Sequence, residues 1–347
     1  MSGTFVVMEE TRTFMLLSRR PVIDCQSGHS AIHVTYREII IVIFEISLRG
    51  AHVEGKRSIG VNFENRTVLI TGAARGLGFA YARTIAALGA TVIIHDVGAD
   101  SSGLGEDPQV AEDAAASLRA EGYDVVAISG SLETREACRH LVAQSIAVRG
   151  RLDGLIHNAG WVAYQTIESI DEGAFDHMMA IGAKAPLWLA QAAWTTMAEA
   201  GYGRILLTTS CRALYPQYVQ KGLAAYAAAK MAAVGIVNVL AAEGAPHGVV
   251  VNAISPVAKT RMWGVDGEPD ELRPAEVAPG AAFLVSDACI EGSWILRAAN
   301  GQFHATRAVE AFGVDYPRNL HAVAAATADE VAAQWSRIAV PSVEPRS

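Results

Sequence analysis

Long apolar runs are missing from this chain of 347 residues. Ile39–Phe44 is far too short to cross a bilayer and is bracketed by Glu38 and Glu45, so no membrane partner is expected. Basic charge is also scarce. The 28 Lys and Arg residues stand against 36 Asp and Glu, a net charge of −8, which argues against nucleic acid as a partner because its phosphates require a basic surface. The four cysteines, at 25, 138, 211 and 289, show neither CxxC spacing nor a disulfide framework. A reducing compartment, the cytoplasm, is therefore expected. The ten histidines form no HExxH or similar ligand spacing, so no metal is expected. There is no internal repeat. Ser18-Arg19-Arg20 superficially matches a twin-arginine export signal, but no apolar segment follows at a usable distance. Pro345-Arg346-Ser347 is not a peroxisomal address.

What the chain does contain is apolar residues, 51% of the total, enough for the core of a large sheet with helices on both faces. Tyr226 and Lys230 are four residues apart in an alanine-rich helical segment, which puts a phenol and an ammonium on one face, a turn apart. A free tyrosine titrates near ~10 and is no base at neutral pH. A cation held against it favours the phenolate and lowers that pKa. Such a pair could take a proton from an alcohol. The same spacing also arises in helices where the two residues merely pack.

Upstream lies Thr71-Gly72-Ala73-Ala74-Arg75-Gly76-Leu77-Gly78, between an apolar β-rich run from Arg66 and an Ala/Leu-rich helical segment from Phe79. Gly72 lets the backbone turn off the strand. Gly76 and Gly78 lack a Cβ, so a pyrophosphate can approach the free N–H groups of the helix start. The next strand, Thr91–His95, ends in Asp96, close to where an acid meets the adenosine ribose. Asp96 would accept from the 2′-hydroxyl and repel a 2′-phosphate, and Val97–Ser102 supplies no cation to bind that phosphate. NAD is therefore expected, with NADP the weaker fit. Arg75 is the contrary sign.

Together these motifs resemble the short-chain dehydrogenase/reductase family, from about Asn62 to Val340. Its Asn-Asn-Ala-Gly signature stands here as His157-Asn158-Ala159-Gly160, its catalytic serine as Ser210, and its later cofactor segment as Val249 to Pro256 with Thr260. Within the family, Ala193–Ile205, Ser255–Met262, Leu272–Pro279, Asp287–Glu291 and Thr327–Trp335 are similar to the (3R)-hydroxyacyl-CoA dehydrogenase domains of peroxisomal multifunctional enzymes.

The resemblance implies an α/β fold: one doubly wound Rossmann-type domain over 61–305, mainly parallel, with helices on both faces. Residues 1–60 are then an N-terminal extension, disordered or from an unused start, and 306–347 a C-terminal helical extension and tail. The chain would be a free-standing dehydrogenase. The resemblance also implies catalysis by Ser210, Tyr226 and Lys230. Gly72, Arg75, Gly76, Leu77, Gly78, Asp96, Ser131, Leu132, Asn158, Ala159, Gly160, Tyr226, Lys230, Pro256 and Thr260 would bind the dinucleotide. Pairing as a homodimer or homotetramer is implied through the helices that hold Gly182 and Tyr226.

Three departures from the family pattern stand out. Gly182 replaces a helix asparagine that helps hold a water beside the lysine, and a helix glycine costs about 1 kcal/mol, so something should justify it. The stretch from Ser210 to Tyr226 is longer than usual; its extra residues, in Pro216–Ala225, can bulge outward. Cys211, Arg212, Tyr215 and Tyr218 on this stretch are expected to wall the substrate pocket. Ser131 replaces the acid that touches adenine. Gly98–Asp107 is read as a loop over the adenosine end, and Lys259–Pro274 as a lid with Met262 and Trp263 facing substrate or packing onto the core.

The substrate expected is a secondary alcohol or ketone. It would be a 3-hydroxyacyl thioester, with Arg212, Lys221, Lys259 and Arg261 available to CoA phosphates, or else a hydroxysteroid or other cyclic alcohol. A dinucleotide-binding protein without turnover is the reading of another class. Ser169–Glu172 and Thr327–Glu330 have the capping-box pattern of helix starts.

Overall fold

The computed structural model describes residues 60–265, 267–310, 314–316, 318–320 and 322–339. The expectations for residues 1–59, including Ile39–Phe44 and Ser18–Arg20, and for Pro345–Ser347 lie outside these residues.

Eight strands form one sheet in the order β3-β2-β1-β4-β5-β6-β7-β8. They are β1 (Thr67–Thr71), β2 (Thr91–His95), β3 (Val125–Ile128), β4 (Gly154–His157), β5 (Gly203–Thr208), β6 (Val249–Val257), β7 (Ile295–Ala299) and β8 (Gln302–Thr306). The first seven are parallel and β8 returns antiparallel along β7. The sequence reading did not include β8. Its residues are mostly exposed, so it lacks the continuous apolar run that marks a buried parallel strand.

Helices α1 (Gly76–Ala87), α2 (Pro108–Ala120) and α8 (Ala278–Leu284) cover one face, and α3 (Arg135–Arg149), α5 (Ala185–Glu199) and α7 (Ala224–Gly244) cover the other. Alternate residues of β1 feed the two cores, Val68 and Ile70 to the first and Leu69 to the second. Such strands, buried on both faces, read as unbroken apolar runs. The short α4 (Glu172–Met179) and α6 (Cys211–Leu214) carry chain toward the carboxyl ends of the strands, and α9 (Ala328–Ala333) and α10 (Trp335–Ile338) follow the sheet.

Chain order reverses between β1 and β4, so the connections leaving these two strands diverge to opposite faces and open a crevice at their carboxyl ends. Residues from distant parts of the sequence meet in this crevice.

Helix starts are set locally. Asp107, Thr134 and Thr327 cap α2, α3 and α9 by accepting backbone N–H groups of the first turn. At α4 the cap is Asp171, which accepts from Ala174 N, rather than the expected Ser169. The Ser169 hydroxyl instead bonds Thr166 inside the preceding turn. α1 differs from these helices: Arg75 at its cap position accepts nothing with its side chain, and the first N–H groups are left without a side-chain partner.

Candidate active site

β1 ends in Thr71, and Gly72 turns the chain at φ +62°. A Cβ there would stand 2.7 Å from Ala159 Cα, so the loop can lie against the end of β4 only with glycine at this position. The Asn158 side chain fastens the contact by donating Nδ2–H to the Gly72 carbonyl at 2.9 Å. Gly78 was expected to make room for a pyrophosphate. The structure gives it a different task, since a Cβ on Gly78 would strike the Gly72 carbonyl oxygen and sit 2.8 Å from Asn158 Nδ2. Gly78 thus packs the helix onto the loop, and Gly76 faces Thr260.

A cavity of about 280 Å³ opens over this loop. Of the expected dinucleotide contacts, Gly72, Arg75, Gly76, Leu77, Asp96, Ser131, Leu132, Asn158, Ala159, Gly160 and Thr260 all line it. Gly78 and Pro256 do not, and neither do Tyr226 and Lys230, although the Lys230 ammonium lies close to Gly160. The cavity suits a dinucleotide: uncapped helix N–H groups for phosphate, and Asp96 for a ribose hydroxyl. Asp96 is fixed in place, accepting Ala74 N–H at 3.1 Å and Gly98 N–H at 2.9 Å. Ser131 accepts the Glu133 N–H at 3.1 Å, which leaves its hydroxyl proton to donate.

The loop Gly98–Asp107 closes one side, and although Val97–Ser102 itself holds no cation, its Ala99 carbonyl gathers two from elsewhere, one of them Arg75, the contrary sign in the sequence. Arg75 and Arg261 both donate to the Ala99 carbonyl at 3.1 Å. Two guanidinium groups therefore stand near Asp96, one of them supplied by a segment distant in sequence. Trp161 and His177 were not anticipated. Their rings stack at 4.4 Å, His177 Nε2 lies 3.1 Å from the Gly103 carbonyl, and a Cβ on Gly103 would collide with the Trp161 ring. Trp161 directly follows the Gly160 motif and could have been found from that position. Nothing in the sequence points to His177.

The candidate catalytic groups converge at the ends of β5 and α7. Ser210 follows β5, is buried, and caps α6 by accepting Arg212 N–H at 3.2 Å. Its hydroxyl stands near enough to the Tyr226 phenol to favour the phenolate. Lys230 is buried, its ammonium 5.8 Å from the Tyr226 ring centre and close to Gly160. Burial brings the lysine down to about 8.

The phenol differs from the sequence expectation. Burial holds Tyr226 above its usual range, and the opposing influences are the Ser210 hydrogen bond and the positive charge of Arg212. The ammonium of Lys230 is not among those influences.

Comparison with known proteins identifies the family. The family profile described as short chain dehydrogenase matches residues 66–269. The chain belongs to the short-chain dehydrogenase family. It is accordingly an NAD(P)-dependent oxidoreductase acting on CH–OH groups. Peroxisomal multifunctional enzyme type 2 of Mus musculus is 33% identical over 244 residues, 70% of this chain, and the match spans 32% of that larger protein. A short chain dehydrogenase from Mycobacterium avium superposes with a TM-score of 0.67 at 27% identity, covering 81% of this chain and 98% of its own. A metagenomic short-chain oxidoreductase solved in complex with NADP gives a TM-score of 0.54 at 25% identity, over 64% of this chain and 91% of its own.

The departures from the short-chain dehydrogenase pattern now have physical explanations. At Ala180–Lys184 the helix widens into a π turn between α4 and α5, so the bend survives the loss of asparagine. Gly182 is buried, and a Cβ there would stand 2.7 Å from Ala229 Cβ on α7, beside Lys230. Close packing of α7 justifies the glycine. Gly182→Asn is expected to cost about 1–3 kcal/mol by overpacking, read as a lower midpoint in thermal unfolding. An unchanged midpoint would contradict this.

His157, which stands where the family signature has its first asparagine, does more than fill space. Its Nε2 is 2.9 Å from the Ile181 carbonyl, which can only accept, so Nε2 carries the proton. Nδ1 then accepts from the Thr71 hydroxyl at 3.0 Å, and that oxygen receives the N–H groups of Asn158 and Ala159. Burial, and then the Lys230 charge, hold this histidine neutral, down to about 3. It ties the π turn to the loop end of β1. The longer Ser210–Tyr226 stretch includes the exposed turn Pro216–Tyr218.

Proposed function

We propose that Ser210, Tyr226 and Lys230 interconvert a secondary alcohol and a ketone with NAD as the preferred dinucleotide. The observation that carries this reading is the approach of the Ser210 hydroxyl to the Tyr226 phenol, within one helical turn of a buried lysine beside the Gly160 edge of the cavity. A bound nicotinamide would supply the hydride acceptor or donor. Ser210 and Tyr226 receive the substrate oxygen with their hydroxyl groups. In oxidation Tyr226 Oη takes the alcohol proton, and in reduction it returns one. Ser210 orients the oxygen and stabilises the charge that develops on it. Lys230 holds a positive charge at the junction of the two sites. A coupled assay with a panel of secondary alcohols tests the reading: NADH formation by the wild-type protein supports it, and tight NAD binding without turnover of any alcohol or ketone contradicts it.

NAD preference rests on the fixed Asp96 carboxylate, with Arg75 and Arg261 as opposing features. Asp96→Ser is expected to raise the kcat/KM ratio of NADP to NAD tenfold or more, since a like-charge contact costs several kcal/mol. An unchanged ratio would remove Asp96 as the discriminator.

For substrate, the resemblance to (3R)-hydroxyacyl-CoA dehydrogenase domains favours a 3-hydroxyacyl thioester. Met262 and Trp263, both about 45% exposed above the site, keep a cyclic alcohol as the second reading. The outward stripe of α7, with Ala228, Met231, Gly235, Val239 and Ala242 on one side, supports pairing of two or four copies, which sedimentation would reveal. Ala224–His247 is also the one helix among the described residues apolar and long enough to cross a membrane, but its other side packs into the sheet core. The free thiols of Cys138, Cys211 and Cys289 support a cytoplasmic location.

A further inference from the structure

Four cations were available to a charged substrate: Arg212, Lys221, Lys259 and Arg261. The structure commits two of them elsewhere. Lys259 pairs with Glu271 at 2.6 Å, and Arg261 donates to Ala99 in the dinucleotide cavity. Lys221 is exposed.

Arg212 differs from all three. Its backbone N–H bonds the Ser210 hydroxyl, so it lies within the first turn after the group that receives the reacting oxygen. The side chain is half-buried. Its guanidinium donates once, to the neutral Tyr164 phenol at 3.0 Å, and sits 5.6 Å from the ring centre of Trp263. Among the described residues no carboxylate lies within ion-pair distance of it, whereas Arg66, Arg83, Arg119 and Arg149 each meet one. A guanidinium has five N–H donors in a fixed fork. One with donors to spare and no anion beside it is free to take an oxygen acceptor from a ligand.

We propose that Arg212 is a specificity-determining residue that receives an oxygen acceptor on the carbon β to the reacting carbon, so that the substrate is a 3-hydroxy or 3-oxo acyl compound. This rests on Ser210 and Tyr226 being the oxygen-binding pair. Arg212 follows Ser210 so closely that its fork serves groups adjoining the reacting centre. The phosphates of CoA are excluded as its partner because the pantetheine arm separates them from that centre. The acceptor is then the C1 oxygen, as a carboxylate in a free 3-hydroxy acid or as the carbonyl of a thioester. A bidentate carboxylate or a charge-assisted bond to a carbonyl both suit an arginine fork. A steroid or simple cyclic alcohol has no such oxygen and leaves the guanidinium unmet.

Three compounds test this: 3-hydroxybutyrate, its CoA thioester, and 2-pentanol, which lacks the acceptor. The wild-type protein is expected to favour at least one of the first two over 2-pentanol in kcat/KM. Arg212→Gln is expected to shrink that preference about 10- to 100-fold, with Arg212→Lys retaining part of it. The ratio between compounds cancels any effect on the phenol that all substrates share. A larger loss with the free acid identifies a carboxylate, and a larger loss with the thioester identifies the carbonyl. The proposal is overturned if the ratio is the same in wild type and Arg212→Gln, if 2-pentanol is used as well as the others, or if neither β-oxygenated compound is turned over. An unchanged ratio with Tyr226→Phe inactive would discard the role of Arg212 alone. Retained turnover in Tyr226→Phe would discard the oxygen-binding pair.

Discussion

Tyr226→Phe is expected to lower kcat about 10³-fold on any substrate the enzyme turns over, within the usual range for loss of a general acid–base group. The ring stays and only the hydroxyl goes, so packing around α7 is conserved and NADH should bind as before. Ser210 would lose the neighbouring hydroxyl but keep Arg212 N–H. Fluorescence titration of NADH together with a turnover assay separates the two effects. Weakened NADH binding in parallel with lost turnover would mean that the phenol supports the cavity rather than the chemistry.

The same phenol sets the pH dependence. Burial holds it above its ordinary value. Oxidation needs the deprotonated form, so its rate should rise close to tenfold per pH unit through neutrality and into the alkaline range. Reduction needs the protonated form and should stay flat over the same span, falling only once the phenol ionises. Lys230 adds a second event. Lowered by burial, it is charged at neutral pH and sheds its proton as pH rises through about 8. A function of Lys230 that depends on charge, such as holding a nicotinamide ribose, is then lost above that pH and shows as a rising KM for the dinucleotide.

Gly78→Ala is expected to have the second largest effect. Its Cβ would overlap the Gly72 carbonyl oxygen and press on Ala73 Cα and Asn158 Nδ2, both 2.8 Å away. None of these can yield cheaply, because Asn158 Nδ2 is itself bonded to the Gly72 carbonyl and Gly72 lies against Ala159. The loop must move off the end of β4. An overpacking cost of about 1–3 kcal/mol is expected in stability. If the same displacement spoils the phosphate-facing N–H groups, NADH affinity falls about 10- to 100-fold. Thermal unfolding and NADH titration report the two losses. Normal affinity in the alanine variant would show that the loop is not the cofactor cradle.

The fold was legible in the sequence because buried parallel strands write themselves as apolar runs. Thr67–Thr71 and Thr91–His95 were read within a residue or so of their ends, and the loop between β1 and α1 announced itself by glycine spacing. β8 was missed because an exposed edge strand carries no such signature. The site was legible where chemistry depends on residue type at fixed spacing, as at Tyr226, Lys230 and the Asn158–Gly160 turn. It was not legible where function comes from direction. The burial that raises the Tyr226 phenol, and the Arg212 charge that opposes it, come from packing that no spacing records. Nor could sequence show that Arg261 would fold back beside Arg75 at Ala99, or that Gly182 is held by the approach of Ala229. These depend on contacts between segments far apart in the chain.

The central claim is that the Tyr226 hydroxyl carries the transferred proton, and replacing that tyrosine with a ring-fluorinated tyrosine tests it most directly. Fluorination lowers the phenol pKa with almost no change in shape. The rising limb of the pH profile for alcohol oxidation should move to lower pH by the same amount that the free amino acid's pKa falls. A limb that stays where it was, in an enzyme that still turns over, would assign the proton to another group.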